Sequence, residues 1–206
     1  MTRILKVAAA VAAVALLGGC SLLSTPEPVQ LYRFGNLPMG QNERSVAGVQ
    51  VVMRRAEFAQ AVRGDRILGV TGTEAAYIKG ARWVSSADVL FSDALESAFA
   101  AQAERVRLVG PRELTRSGQA LDIDVRTFEA RYASPGAAPV ATIITRVRLL
   151  NAEDRSVTAE QVFLVEKPAA ENRVGAIISA FDEASRDLNT QIVEWTDRNA
   201  RNVPAG

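Results

Sequence analysis

The chain carries one cysteine, Cys20, and it stands directly behind Leu17-Gly18-Gly19. An aliphatic residue three places back, small residues between, and a thiol able to accept a diacylglyceryl group together suit lipid modification. Cleavage before Cys20 would then leave it as the first residue of the mature protein. A second set of chemistry-bearing residues is Asp122 and Asp124, two apart and so on one face of a strand. Paired carboxylates can run acid–base hydrolysis or hold a cation. They stand opposite Leu121, Ile123 and Val125, as the acids of a solvated strand face do. Arg146 and Arg148 point outward together in the same way, and cross-strand charge matching with the two aspartates accounts for both pairs. The chain has no histidine, the commonest general base and metal ligand. Ser-His-Asp, Cys-His and His-metal mechanisms are therefore excluded. No G-x-S-x-G, P-loop or G-x-G-x-x-G motif occurs. The expectation is a protein that is not an enzyme, with a carboxylate-dependent hydrolase as the catalytic alternative.

The residues ahead of Cys20 explain its setting. Arg3 and Lys6 give a basic front, and Val7 to Leu17 is an unbroken run of Val, Ala and Leu. This is the three-part pattern of a bacterial secretory signal, and its end resembles a lipobox. The apolar run is about eleven residues, against the roughly twenty needed to span a bilayer, and no basic cluster follows to stop transfer. Residues 1–19 are thus expected to be a lipoprotein signal peptide and 20–30 a lipidated tether, with Pro26 and Pro28 blocking regular structure. No cofactor is expected beyond the covalent diacylglycerol and N-acyl (palmitate-type) lipid on Cys20. Three acyl chains, each worth about 0.8 kcal/mol per buried CH₂, give a stable anchor. Ser21 follows the cysteine where an Asp would favour inner-membrane retention, so the expected place is the outer membrane, facing the periplasm. With Cys20 committed to lipid, no intrachain disulfide is available. The formal charge of +1 falls to −1 once Arg3 and Lys6 leave with the leader. That balance gives no reason to expect nucleic acid as a partner.

The remaining chain is long enough for one domain, expected over 31–199 with a disordered tail at 200–206. Leu31 to Phe34 reads as a first short strand and Leu37 to Ser45 as loop. Val46 to Met53 reads as a strand with Val49, Val51 and Met53 on one face. Arg54 to Arg66 allows a helical turn or two before Gly64-Asp65. Ile67–Val70 and Ala75–Val84 read as strands joined around Gly72. Ser85 is placed to cap a helix running to about Ala103, with Asp88 in its first turn and Phe91, Leu95, Ala98 and Phe99 facing inward. Arg105–Val109 is a short strand, and Glu113–Ser117 a loop or single turn. Three alternating runs follow: Leu121–Tyr132, Val140–Leu150 and Val157–Glu166. They are separated by Ser134-Pro135-Gly136 and Asn151-Ala152-Glu153-Asp154, which predicts an antiparallel meander. Within the first run the apolar parity shifts from Leu121, Ile123 and Val125 to Phe128, Ala130 and Tyr132, which predicts a bulge near Thr127. The last element is a helix over 172–199, with Val174, Ile177, Phe181, Ala184, Leu188, Ile192 and Trp195 at helical spacing. The expected fold is α+β: a largely antiparallel sheet with two amphipathic helices on one face.

Two spots suit partner contact. Tyr32-Arg33 follows the tether on an expected edge strand, and an edge can accept a partner strand. Arg82-Trp83 pairs two residue types that often anchor interfaces, although a Trp closing a strand is more often core. Trp195, on the apolar stripe of the last helix, is expected in the core.

The lipobox, the Leu31-Tyr32-Arg33-Phe34 start, Arg82-Trp83 before a helix, the meander and a closing helix with Trp195 occur in a familiar order. From Leu31 to Thr196 the chain resembles the ABC-type transport auxiliary lipoproteins, the PqiC-like proteins of Gram-negative bacteria. The resemblance implies a non-enzymatic lipoprotein that partners an MCE-domain protein beside an ABC permease and ATPase, in lipid movement between membranes; a homo-oligomer is also compatible. A periplasm-facing lipid-binding carrier is the alternative. Replacing Cys20 should separate anchoring from folding. Cys20→Ala is expected to lose incorporation of radiolabelled palmitate and to leave the envelope membrane fraction, and retention of both would refute lipidation at this thiol.

Overall fold

The computed structural model describes residues 28–35, 48–110 and 118–201. Cys20, the loop read at Leu37–Ser45 and the turn read at Glu113–Ser117 lie outside the described residues. Nine strands form one open sheet: β1 (Gln30–Tyr32), β2 (Val49–Met53), β3 (Glu57–Phe58), β4 (Arg66–Thr71), β5 (Glu74–Trp83), β6 (Val106–Leu108), β7 (Gln119–Tyr132), β8 (Val140–Asn151) and β9 (Val157–Pro168). Helix α1 (Ala87–Gln102) joins β5 to β6, and α2 (Val174–Asn199) closes the domain. The fold is α+β, as expected.

β7 is the spine of the sheet. One side pairs along its whole length with β8, antiparallel, and β8 pairs likewise with β9. This is the predicted meander, and these are the longest ladders. The other side of β7 takes three short strands in succession, all parallel to it. β2 lies at Gln119–Leu121, β3 at Asp124–Val125 and β4 at Glu129–Tyr132. The chain from Val49 to Thr71 thus runs beside β7 as one interrupted strand. Arg54 and Ala59 N–H groups continue the ladder, donating to Leu121 and Val125 carbonyls. The sheet is therefore mixed. Alternating apolar residues fix which face is buried but not which strand lies alongside, so the parallel half had no signature in the sequence. The stretch Arg54–Arg66 is mostly extended, and its helical character is confined to one turn, where Val62 and Arg63 N–H groups donate to the Ala59 carbonyl.

The predicted parity shift is a register break in β7 between Val125 and Thr127. Before it, Leu121, Ile123 and Val125 face the core; after it, Phe128 and Ala130 do, all nearly fully buried. Without the extra residue Phe128 would stand on the outer face. Instead its ring meets those of Phe34 at 5.1 Å, Phe58 at 5.6 Å, Trp83 at 6.1 Å and Phe181 at 4.9 Å. The chain after β1, strand β3, the end of β5 and helix α2 all converge on this one side chain.

Both helices pack on this face, α2 against β8 and β9 and α1 against α2 and β6. Every residue of the predicted α1 stripe is buried, and the α2 stripe is buried from Ile177 to Trp195. The cap of α1 is Ser86 rather than Ser85, and its side chain makes no capping bond. The Ala87 N–H donates instead to the Gly64 carbonyl, so tertiary contact replaces the cap. Ser92 ties α1 to the strands: its Oγ accepts the Ala56 N–H at 3.2 Å and donates to the Asp88 carbonyl at 2.7 Å. Gly35 passes where the helices meet. It has φ +72°, a Cβ there would lie 2.6 Å from Ala94 Cβ, and its N–H donates to Asp182 Oδ1 at 2.7 Å. Only glycine meets both demands.

The end of α2 holds the start of β6. The Asp197 carboxylate accepts N–H groups from Glu104 at 2.7 Å, Arg105 at 3.1 Å and Val106 at 2.8 Å. Beyond it, Ala200 is buried and the Arg201 N–H donates to Gln119 Oε1 at 2.9 Å. Both stand in the stretch that the sequence reading gave to the tail: Ala200 is held as the helix cap by its N–H bond to the Thr196 carbonyl, and Arg201 by the buried Gln119 side chain. Phe128→Ala should cost about 3–5 kcal/mol, read as a lowered urea midpoint. Asp197→Ala should cost about 1 kcal/mol by removing three N–H partners, two of which water can replace, with Asp197→Asn recovering part of it. Urea midpoints unchanged in either alanine variant would refute the corresponding role.

Candidate functional site: the edges and outer face of the sheet

The four residues singled out for partner contact do come together. β1 is an edge strand parallel to β5, with Leu31 opposite Arg82 and Tyr32 opposite Trp83. The Val84 N–H extends the contact by donating to the Tyr32 carbonyl at 2.7 Å. Alternation then divides the four between two faces. Tyr32 is half-buried and packs against the core, while Arg33 is exposed. Trp83 is only 2% exposed and stacks edge-on against Phe34 and Phe181. The expectation that Trp83 serves as a partner anchor is therefore corrected: a strand that closes against the core turns its last bulky ring inward.

Arg82 faces outward and is half exposed. Its guanidinium meets both Asp65 carboxylate oxygens, at 3.0 and 2.9 Å. Exposed pairs of this kind contribute about 0–1 kcal/mol, so Arg82 is available to a partner at little cost. Beside it, Arg66 lies 3.7 Å above the Tyr77 ring. Val29, Leu31 and Val84 are exposed around this corner. The sequence reading missed them because an isolated Val or Leu next to an edge looks like any inward strand residue.

The outer face carries the aspartates. Register places Asp122 opposite Arg148 and Asp124 opposite Arg146, as charge matching predicts. Arg148 Nε and Nη2 both donate to Asp122, and Asp124 Oδ2 takes Arg146 and Arg126 at 3.1 Å each. Each carboxylate is thus paired with cations rather than aimed at a substrate. One carboxyl is held above its usual range, Glu96 on α1, by burial and then by the Asp93 charge. Asp93 stands three residues earlier on the same helix. A glycosidase needs its two carboxyls on opposite sides of a scissile bond, which two groups stacked along one helix do not supply. Among the described residues no cluster of three metal-ligating side chains occurs. No described helix is long and apolar enough to cross a membrane. The space between sheet and helices, which a lipid carrier would need open, holds the ring cluster around Phe128.

The comparisons follow the same architecture. The crystal structure of protein XCC0632 from Xanthomonas campestris superposes with a TM-score of 0.70 at 25% identity, covering 83% of this chain and 96% of that one. The hypothetical protein CT253 from Chlamydia trachomatis shares the fold alone, with a TM-score of 0.51 at 10% identity over 74% of this chain and 98% of its own. No curated protein matches by sequence. The family model of the ABC-type transport auxiliary lipoprotein component matches residues 35–193, nearly the whole span over which the motifs were read. With the fold and that match in agreement, the chain belongs to the ABC-type transport auxiliary lipoprotein components.

Proposed function

We propose that this lipoprotein is a non-catalytic component of an ABC/MCE-type envelope transport system. It docks the periplasmic MCE assembly at the membrane that Cys20's acyl chains hold, for lipid movement between membranes. The observation that carries the reading is the join between anchor and domain. A lipobox cysteine stands ten residues ahead of Gln30, where the folded domain begins, in a chain of the transport auxiliary family. At about 3.3 Å per residue, that tether lets the domain stand up to roughly 30 Å from the bilayer, a reach suited to meeting a periplasmic partner. The absent histidine and the ion-paired aspartates favour docking over hydrolysis. The aromatic filling between sheet and helices favours it over a carrier that encloses a lipid tail. Ser21 favours the outer membrane as the place of anchoring.

The test is crosslinking in the native host. The full chain with a C-terminal tag is crosslinked in its membranes and co-purified proteins are identified by mass spectrometry, with a Cys20→Ala form alongside. Recovery of an MCE-domain protein from the wild-type chain, lost or strongly reduced in Cys20→Ala, is the expected result. Bound phospholipid without any transporter component would overturn docking in favour of the carrier.

A further inference from the structure

The far edge of the sheet is as open as the β1 edge and much longer. Among the described residues β9 pairs only with β8. It spans twelve residues, so a long row of backbone groups faces outward on its free side. Such edges are usually guarded by lysine, proline or a bulge, because an unguarded one recruits another strand. Here the guards sit at the two ends, beginning with a register break between Val157 and Ala159 at the start of β9. Pro168 is the last residue, and Lys167 is drawn away into a hydrogen bond with Asp187 that raises its pKa. The central stretch has neither.

Side chains there break the pattern of a solvated strand. Phe163 and Val165 face the core, as alternation requires. Yet Val162 and Leu164, on the outer face, are also apolar and are 54% and 58% exposed. Ile144, register partner of Leu164, continues the apolar strip onto β8. Glu160 and Glu166 bracket the strip on that same face and take part in no ion pair among the described residues. The outward face of β9 thus reads acid, apolar, apolar, acid at every second residue.

We propose that β9 is the docking edge for an extended segment of a partner protein, added as an antiparallel or parallel strand. The segment has two apolar residues at alternate positions, flanked by basic residues on the same face. Main-chain hydrogen bonds would supply affinity, and the Glu160–Val162–Leu164–Glu166 row would supply specificity. Placement supports this. Along β1-β5-β4-β7-β8-β9 the edge lies about five strand spacings, roughly 24 Å, from β1. The tether enters at β1, and of the other described strands with a single strand partner, β6 has three residues and β3 two, so β9 is the long edge far from the anchor. The proposal gives the docking role its surface and rests on that role only for what the partner belongs to.

The probe is a heptapeptide, Lys-Thr-Val-Thr-Ile-Thr-Lys, carrying fluorescein on its N-terminus, into which the full lipidated chain in detergent is titrated. Binding is read by fluorescence anisotropy and site by amide hydrogen exchange. The expected result is peptide-dependent protection confined to residues 160–166. Leu164→Lys, and separately the Glu160→Lys/Glu166→Lys pair, should each weaken binding by about tenfold or more; these side chains are exposed, so circular dichroism should show the fold intact. Equal binding of a peptide with glutamates at both ends would overturn the proposal. So would protection elsewhere, or concentration-dependent protection of β9 without peptide, which would mean a second copy sits there. Crosslinking with Leu164→Lys keeps the two readings apart. If the MCE protein is recovered as well by this variant as by wild type, docking stands and β9 is not its surface. If the peptide binds at β9 but no transporter component is ever recovered, the edge stands and the docking role fails.

Discussion

A single extra residue in β7 sets the terms for the rest of the domain. The break between Val125 and Thr127 turns Phe128 from the outer face to the inner one. Because side chains alternate strictly along a strand, no smaller adjustment could do this. Once inside, the ring touches partners from the chain after β1, from β3, from the end of β5 and from α2. These pieces are far apart in sequence, and contacts such as Trp83 against Phe34 and Phe181 join them further. The same break leaves Arg126 outside, beside Asp124, so the charged ladder and the aromatic core are two results of one backbone irregularity.

The helices pack on the inner face, and the aromatic cluster fills the space beneath them. Apolar burial and ring packing fill the space between the layers, which leaves the outer face and the edges for contact with other molecules. On the outer face the Asp122–Arg148 and Asp124–Arg146 pairs satisfy each other. A small second cluster of Val52, Ala120 and Leu150 is buried on that same face, in one row across β2, β7 and β8. The edges differ in kind. β1 is three residues long and continues from the tether; β9 is four times as long and, among the described residues, has β8 as its one strand partner.

Much of this was legible from residue order. The parity shift in Leu121–Tyr132 announced the bulge, because a change in the apolar face needs an inserted residue. The α2 stripe from Ile177 to Trp195 announced a helix packed along one side. The outward pairs Asp122/Asp124 and Arg146/Arg148 announced their own cross-strand matching. Two errors have equally plain causes. Trp83 was weighed as an anchor because residue type says nothing of which face a strand's final position presents. Val162 and Leu164 went unremarked because Phe163 and Val165 already satisfied the core pattern, although four apolar residues in succession signal a strand with apolar character on both faces.

The sequence by itself determined the local periods, and through them most of the strands, the helices and the buried face of each. These depend on side chains within a few residues of one another. Only the tertiary structure decided that β2, β3 and β4 run parallel along β7, that the Gly64 carbonyl rather than a serine side chain caps α1, and that β9 pairs with β8 alone among the described residues. Those outcomes are made by backbone hydrogen bonds between distant segments. The N–H and C=O groups that form them are the same at every residue but proline, so no choice of side chain writes them into the chain in advance.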